Sequence, residues 1–317
     1  MQSFSFGEAI ASGFRVIARH PLAVPLWALV YLLLVAVPAV AILIHLLPNA
    51  IAQVQDAVQH AAADGRPDPA RMMALRSQTF GWQPALWLLQ VFAHTLVMAA
   101  VFRAVLEPQK ASWGFLRLGA QELWLGLTYL VLMVMTFIMV MMLLFPMAIA
   151  SAIVAGVAHH GGNPPVGAAL LLTLIGLAGV GAIVWILLRL SMALPMSFAQ
   201  SRFMLYESWD LTRGQALKLF LVYLVLGLGV LLFEILVVAA AGLTLAPELR
   251  SAAWTPTAGL EEIMNVIHRQ TAALVSFGVV IALFAMGIHA LLIAPLAEVY
   301  RELTGGPRPA DEPPLTA

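Results

Sequence analysis

The chain has 317 residues, of which 62% are hydrophobic and only 10% are charged, whereas a soluble domain is about half apolar and about a quarter charged. Sixteen basic and sixteen acidic residues give a formal net charge of zero, which offers no support for nucleic-acid binding. The chain contains no cysteine, so disulfides, zinc–thiolate sites, iron–sulfur clusters and thiol catalysis are excluded. This composition indicates that a lipid bilayer, and not water, surrounds most of the protein.

Six apolar stretches are long enough for transmembrane helices, each of which needs roughly 20 residues. They predict spans at about 22–46, 84–105, 123–150, 167–190, 219–246 and 271–297. We therefore expect an all-α, polytopic six-helix membrane bundle. We also expect the first span to be retained, because the apolar run from Leu22 is too long for the apolar region of a signal peptide.

Basic residues are unevenly divided between the two sides of these six spans. The side with the N-terminus, the second and fourth loops and the C-terminus holds eleven Lys and Arg residues, whereas the other side holds five. Such an excess marks the cytoplasmic face. The sequence thus predicts a multi-pass membrane protein with both termini in the cytoplasm.

Two charged segments between the spans share a Ser-Trp pair followed by an arginine four residues after the tryptophan. They read ASWGFLRLGAQELW (111–124) and YESWDLTRGQALKLF (206–220), and ASGFRVIARHPLAVPLW (11–27) is a weaker third copy. Aligning Arg15, Arg117 and Arg213 gives spacings of 102 and 96 residues. The pattern predicts a threefold repeat, each unit comprising an amphipathic entry helix, a span, an outer loop and a returning span.

Helical periodicity over 205–220 predicts an interfacial helix with an apolar face in the acyl boundary and a tryptophan at headgroup depth. We expect interfacial lipid contacts from the tryptophans and arginines of the repeat: Arg15, Trp113, Arg117, Trp209 and Arg213. Arg117 and Arg213 have three alternative roles, because each can reach a lipid phosphate, pair with a carboxylate inside the bundle, or bind a ligand.

The remaining segments predict peripheral structure. Residues 47–83 favour a helical hairpin on the outer face, 257–270 favour a helix leading into the last span, and 157–167 are rich in turn residues. The Pro-rich tail at 304–317 is predicted to be disordered.

Three ionisable residues lie deep within predicted spans, namely His94, Glu234 and His289. Such residues are functional candidates because a charge in hydrocarbon is costly. A Glu–His cluster could relay protons, bind a cation or contact a substrate, whereas separate residues would each make one interhelical hydrogen bond. The adjacent His159 and His160 have no nearby carboxylate to complete a metal site, so we predict no metal and no cofactor.

Catalytic motifs are missing from the sequence. It contains no HExxH, GxSxG or P-loop pattern, and the soluble segments are under about 40 residues, too short for a catalytic domain. We therefore expect no enzymatic activity, and an intramembrane enzyme is the third and weakest reading.

The segment RLSMALPMSFAQSRFMLYESWDLTRGQALKLF (189–220) resembles the membrane domain that precedes the catalytic barrel in some bacterial glycerophosphoryl diester phosphodiesterases. The matching pattern is a span ending in arginine, then Leu-Pro, a charged stretch, Ser-Trp, Leu-Thr-Arg-Gly and an aromatic residue. Gln200 departs from it, because the family tends to have an acidic residue there. In fused members the barrel performs the hydrolysis, so the resemblance implies an association with lipids but supplies no catalytic residue.

Two functional hypotheses follow. The first is a non-enzymatic scaffold or accessory module associated with lipids or the envelope, whose partners are membrane lipids and either another membrane protein or a second copy of the chain. The alternative is a small-molecule or lipid transporter subunit. A wet cavity lined by His94, Glu234 and His289 would favour transport, whereas separate contacts would favour the module.

Overall fold

The computed structural model describes residues 3–42, 81–110, 113–159, 166–251 and 271–305, together with the single residues 73 and 269. The regular structure in these ranges is entirely helical, and six helices are long and apolar enough to cross a membrane. The predicted six-span, all-α membrane protein is thereby confirmed. The predicted outer hairpin, most of the helix before the last span, the 160–165 turn and the tail beyond 305 lie outside the described residues.

The described elements are, in chain order, α1 (Phe6–Arg19), α2 (Ala23–Tyr31, continued by the π-helical Leu32–Ala36 to 42), α3 (Gln83–Leu106), α4 (Ala120–His159), α5 (Val166–Leu190), α6 (Ala193–Gln200), α7 (Tyr206–Leu211), α8 (Ala216–Ser251) and α9 (Thr271–Thr304). Two 3-10 turns, Pro108–Lys110 and Trp113–Phe115, lie between α3 and α4. Several helices exceed the predicted spans because helical hydrogen bonding continues past the apolar run.

Helix α9 is the centre of the bundle, since it packs against α1, α2, α3, α6 and α8. Helix α3 is buried along its second half, whereas α4, α5 and α8 expose most of their apolar side chains. In a six-span protein those exposed surfaces face hydrocarbon. The core therefore lies around α3 and α9, toward the end of the bundle that carries α1.

Helix α1 is amphipathic, as predicted, and it is docked onto α9. Ser5 caps its N-terminus, and the cap side chain accepts a hydrogen bond from the Glu8 amide. Ala9, Ser12 and Gly13 are buried against α9. A Cβ at Gly13 would lie 2.6 Å from the Cα of Leu291, so glycine is what lets the two backbones meet.

The other two entry segments differ from the predicted amphipathic helices, and the prediction of a continuous interfacial helix over 205–220 is wrong. Helix α7 has only six residues, and a turn separates it from α8. Between α3 and α4 there is a 3-10 turn in place of a helix. Gly114 and Gly214 have φ of 68° and 77°, a left-handed backbone that cannot continue a right-handed helix. The second and third entry segments thus differ from the predicted repeat unit, and the threefold repeat of the spans themselves stays a prediction.

Candidate functional site

Six span ends meet at one end of the bundle, here called the α1 end. The Trp27 indole donates to the Gly114 carbonyl at 2.8 Å, which joins the start of α2 to the α3–α4 turn. Arg301, near the end of α9, donates to the Val105 carbonyl of α3 at 3.2 Å. Each returning span, α3, α5 and α9, carries a buried arginine close to its last residue: Arg103, Arg189 and Arg301.

Arg103 is held by partners within the chain. Only 1% of its surface is exposed, and it forms an ion pair with the buried Glu122 in the first turn of α4. It also donates to the Phe115 carbonyl at 2.5 Å and contacts Glu107, the C-cap of α3, at 3.9 Å. The Arg103 guanidinium thus links α3 to the 3-10 turn Trp113–Phe115 and to α4.

Arg301 is held in the same manner. It donates to the Glu298 carboxylate at 2.5 Å, and Glu298 also lies 3.7 Å from Arg15 of α1. Arg15, expected to contact lipid headgroups, is half-exposed and also pairs with Glu8. Two carboxylates of the chain therefore pair with this arginine, for which the sequence predicted only lipid contact.

A cavity of about 40 Å³ lies beside this ionic contact, between α1, the end of α3 and the end of α9. Arg15, Arg19, Arg301 and Glu298 are among its lining residues, and so is His20. Burial, followed by the charge of Arg19, lowers the pKa of His20. His20 therefore favours its neutral form, and its ring packs edge-on against Phe115 at 4.8 Å.

Arg189 differs from the other two arginines because aromatic rings take the place of carboxylates. Its guanidinium carbon lies 4.7 Å from the ring centroid of Trp209 and 5.9 Å from that of Trp185. Only 8% of the residue is exposed, and its Nε, like those of Arg103 and Arg301, has no hydrogen-bond partner among the described residues. Gln200, which departs from the pattern of the family that the segment resembles, accepts a hydrogen bond from Arg202 at 2.8 Å.

The Ser-Trp and Leu-Thr residues of the repeated segment hold Arg189 in place. Helix α5 ends at Leu190, which leaves the Arg189 carbonyl without an intrahelical donor. Ser208 Oγ donates to that carbonyl at 2.9 Å. Thr212 Oγ1 lies 3.0 Å from the same carbonyl and shares its single proton between it and the Ser208 carbonyl at 2.8 Å. Trp209 lies between them in sequence and is partly exposed. The conspicuous sequence motif is therefore a cap and a stacking platform for one arginine.

The remaining predicted interfacial residues have simpler environments. The side chains of Arg117 and Arg213 are exposed at the α1 end, which is consistent with lipid contact. Trp113 begins the 3-10 turn, but its side chain lies outside the described part of the structure.

The predicted intramembrane trio is only partly assembled. The rings of His94 and His289 lie 4.9 Å apart, with Tyr31 and Tyr129 at 5.7 and 6.5 Å from His94. His94 Nδ1 and His289 Nε2 are buried without hydrogen-bond partners among the described residues. Glu234 is instead exposed on the surface of α8. The two tyrosines were not predicted, because a span sequence does not show which of its faces meets a neighbouring helix.

An apolar groove of about 480 Å³ separates α5 from the turn before α8 and the first turn of α8. Its lining residues are Gly181, Val184, Trp185, Leu188, Gly214, Ala216, Leu217 and Phe220. A Cβ placed on Gly181 or Gly214 would meet no atom within 4 Å, so the glycines keep the groove wide. Neither this groove nor the smaller cavity is lined by His94, Glu234 or His289.

Comparison of the chain with protein-family models, with curated proteins and with solved structures gave no match.

Proposed function

We propose that the protein is a non-enzymatic, lipid-associated module of the bacterial inner membrane that scaffolds or assists other membrane proteins. Both termini would be cytoplasmic, and the chain would be a free-standing relative of the membrane domain of glycerophosphoryl diester phosphodiesterases. The α1 end would then lie at the inner leaflet, whose anionic lipids attract basic side chains.

The observation that carries this proposal is the excess of exposed cations at the α1 end. Among the described residues there, five cations are exposed: Arg19, Arg117, Arg202, Arg213 and Lys218. Only three carboxylates are exposed: Glu8, Glu207 and Asp210. Each basic residue near an anionic surface contributes about 1 kcal/mol of attraction. Because most of the remaining acidic residues at this end are engaged with the buried arginines, the accessible surface is more cationic than the sequence count implies.

A test compares the anionic lipid retained by variants of the two faces. The double variant Arg117→Gln/Arg213→Gln removes two charges from the α1 end, and Arg66→Gln/Arg71→Gln removes two from the predicted opposite side. We expect only the first to reduce the ratio of phosphatidylglycerol to phosphatidylethanolamine that co-purifies with the protein. Equal ratios for both variants and the wild type would contradict the proposal.

The second candidate is a transporter subunit, which the contact between His94 and His289 favours. Two imidazoles with unpartnered buried nitrogens are suited to exchanging a proton. The exposure of Glu234 supports the module instead, because the acid of the predicted trio does not face the cavities described above.

Proton flux separates the two candidates. The module predicts that vesicles reconstituted with the wild type, His94→Phe or Glu234→Gln collapse an imposed pH gradient no faster than protein-free vesicles. A wild-type flux that His94→Phe abolishes would establish the transporter.

A further inference from the structure

The three buried arginines at the α1 end are not equally compensated. Arg103 has Glu122, and Arg301 has Glu298, each within ion-pair distance. Arg189 is buried to a similar degree, yet no carboxylate among the described residues forms an ion pair with it. Glu207 and Asp210, the acids nearest to its two capping residues in sequence, are exposed.

Stacking on tryptophan does not make up for this missing carboxylate. A cation–π contact is weaker than the cost of removing a charge from water. Arg189 is therefore a buried cation without an anionic partner among the described residues, and an anion from outside the chain would complete it.

The groove between α5 and α8 adjoins this arginine. Trp185 both lines the groove and packs against the guanidinium. Two other lining residues, Leu188 and Gly214, are the sequence neighbours of Arg189 and Arg213. The groove runs along α5 from Gly181 to Leu188, that is, from the arginine into the spanning region. An uncompensated cation at the polar end of an apolar groove has the complementary shape and charge of an anionic amphiphile.

We propose that Arg189 and this groove form a binding site for one anionic phospholipid, with the phosphate at the guanidinium and one acyl chain in the groove. This inference rests on the proposed lipid association and adds a single defined site to it. Trp209, Ser208 and Thr212 position the arginine, and the left-handed Gly214 leaves the groove unobstructed. The motif singled out in the sequence would then exist to build a lipid site.

Native mass spectrometry of the detergent-solubilised protein, titrated with phosphatidylglycerol, tests the site. Arg189→Met removes the charge but keeps apolar volume, and it leaves the backbone carbonyl that Ser208 and Thr212 cap. Gly181→Leu fills the groove, and Gly227→Leu is the matched control, since both glycines are exposed within long helices with no atom within 4 Å of an added Cβ. We expect the first bound lipid to dissociate about tenfold more readily from Arg189→Met, since one charge-assisted contact corresponds to about a factor of ten. Gly181→Leu should also bind the lipid more weakly, because the added side chain displaces the acyl chain from the groove, whereas Gly227→Leu should bind it as the wild type does.

Two further arms identify the source of the phosphate. Phosphatidylcholine should bind the wild type more weakly than phosphatidylglycerol, and inorganic phosphate should not compete with the lipid at millimolar concentration. Unchanged lipid affinity in Arg189→Met, or equal affinity in Gly181→Leu and Gly227→Leu, would overturn the site. Full competition by inorganic phosphate would overturn the lipid assignment in favour of a soluble phosphate compound. The proposed function has its own test, which is the loss of co-purifying anionic lipid from Arg117→Gln/Arg213→Gln. The single site at Arg189 can therefore be overturned while that lipid association is retained.

Discussion

Arg103 and Arg189 lie in the last turns of successive returning spans, yet the chain surrounds them differently. Arg103 lies among Glu122, Glu107 and a carbonyl, whereas Arg189 packs beside Trp185 and Trp209, whose rings contact each other, and pairs with no acid among the described residues. Arg301 follows the first pattern, with Glu298. The difference teaches that a buried arginine has two uses in this bundle. An arginine that pairs with a carboxylate of the chain links neighbouring helices. An arginine that lacks such a partner and lies beside a groove is available to a ligand.

The largest expected effect is on the compensated arginine. Arg103→Met should destabilise the protein by about 3–5 kcal/mol, because Glu122, 5% exposed, would remain buried without its cation. Unfolding in detergent micelles measures this loss. The double variant Arg103→Met/Glu122→Met should recover much of it, since replacing a whole buried ion pair with apolar residues is often near neutral. A double variant less stable than Arg103→Met would show that the pair is not the partnership described.

The next effect concerns the docking of α1, which brings Arg15 to Glu298. Gly13→Leu should cost about 1–3 kcal/mol, because the added Cβ would lie 2.6 Å from the Leu291 backbone and α1 must move away from α9. Gly7→Leu is the matched control, since an added Cβ there meets nothing within 4 Å. Equal stability of the two variants, measured as thermal unfolding, would show that α1 is not packed against α9.

The cap of Arg189 should give a smaller effect. Ser208→Ala should cost about 1 kcal/mol, since it removes a donor to the Arg189 carbonyl. Thr212→Val should cost about the same, since it removes a hydroxyl that is shared between the Arg189 and Ser208 carbonyls. The double variant should lose more than their sum, because only then is the buried carbonyl left without a donor. Thr304→Val, which removes an exposed bond within α9, should change little. If the double variant loses no more stability than the sum of the two single variants, the Arg189 carbonyl must have a further donor, and the cap described here would be contradicted.

The smallest effect is a pH dependence at the α1 end. The pKa of His20 is lowered in the folded state by burial and then by Arg19, so the unfolded chain binds its proton more readily. Its contribution to stability should therefore be complete above the unfolded pKa of about 6.5 and lost as the pH falls below it. His20→Phe keeps an aromatic contact with Phe115 and should reduce the loss of melting temperature between pH 7.5 and 5. An unchanged loss would assign the pH dependence to other groups.

Hydropathy alone predicted the six spans, because spanning helices depend on local composition and length. The entry segments were harder, since Gly114 and Gly214 adopt left-handed conformations that periodicity does not reveal. The site depends on tertiary contacts. The sequence motif singled out Trp209 and Thr212. It did not show that these residues, at α7, would contact Arg189 at the end of α5. Likewise, His94, Glu234 and His289 were considered together because each lies deep within a predicted span. The structure brings the two histidines into contact but places Glu234 on the exposed surface of α8.

The contrast between compensated and uncompensated arginines can be tested by the melting temperatures of the wild type, Arg103→Met and Arg189→Met in neutral detergent, with and without phosphatidylglycerol. A ligand that binds only the folded state raises its stability. The account predicts that the lipid raises the melting temperature of the wild type and of Arg103→Met by similar amounts, and raises that of Arg189→Met by less. An equal rise in all three proteins would contradict it.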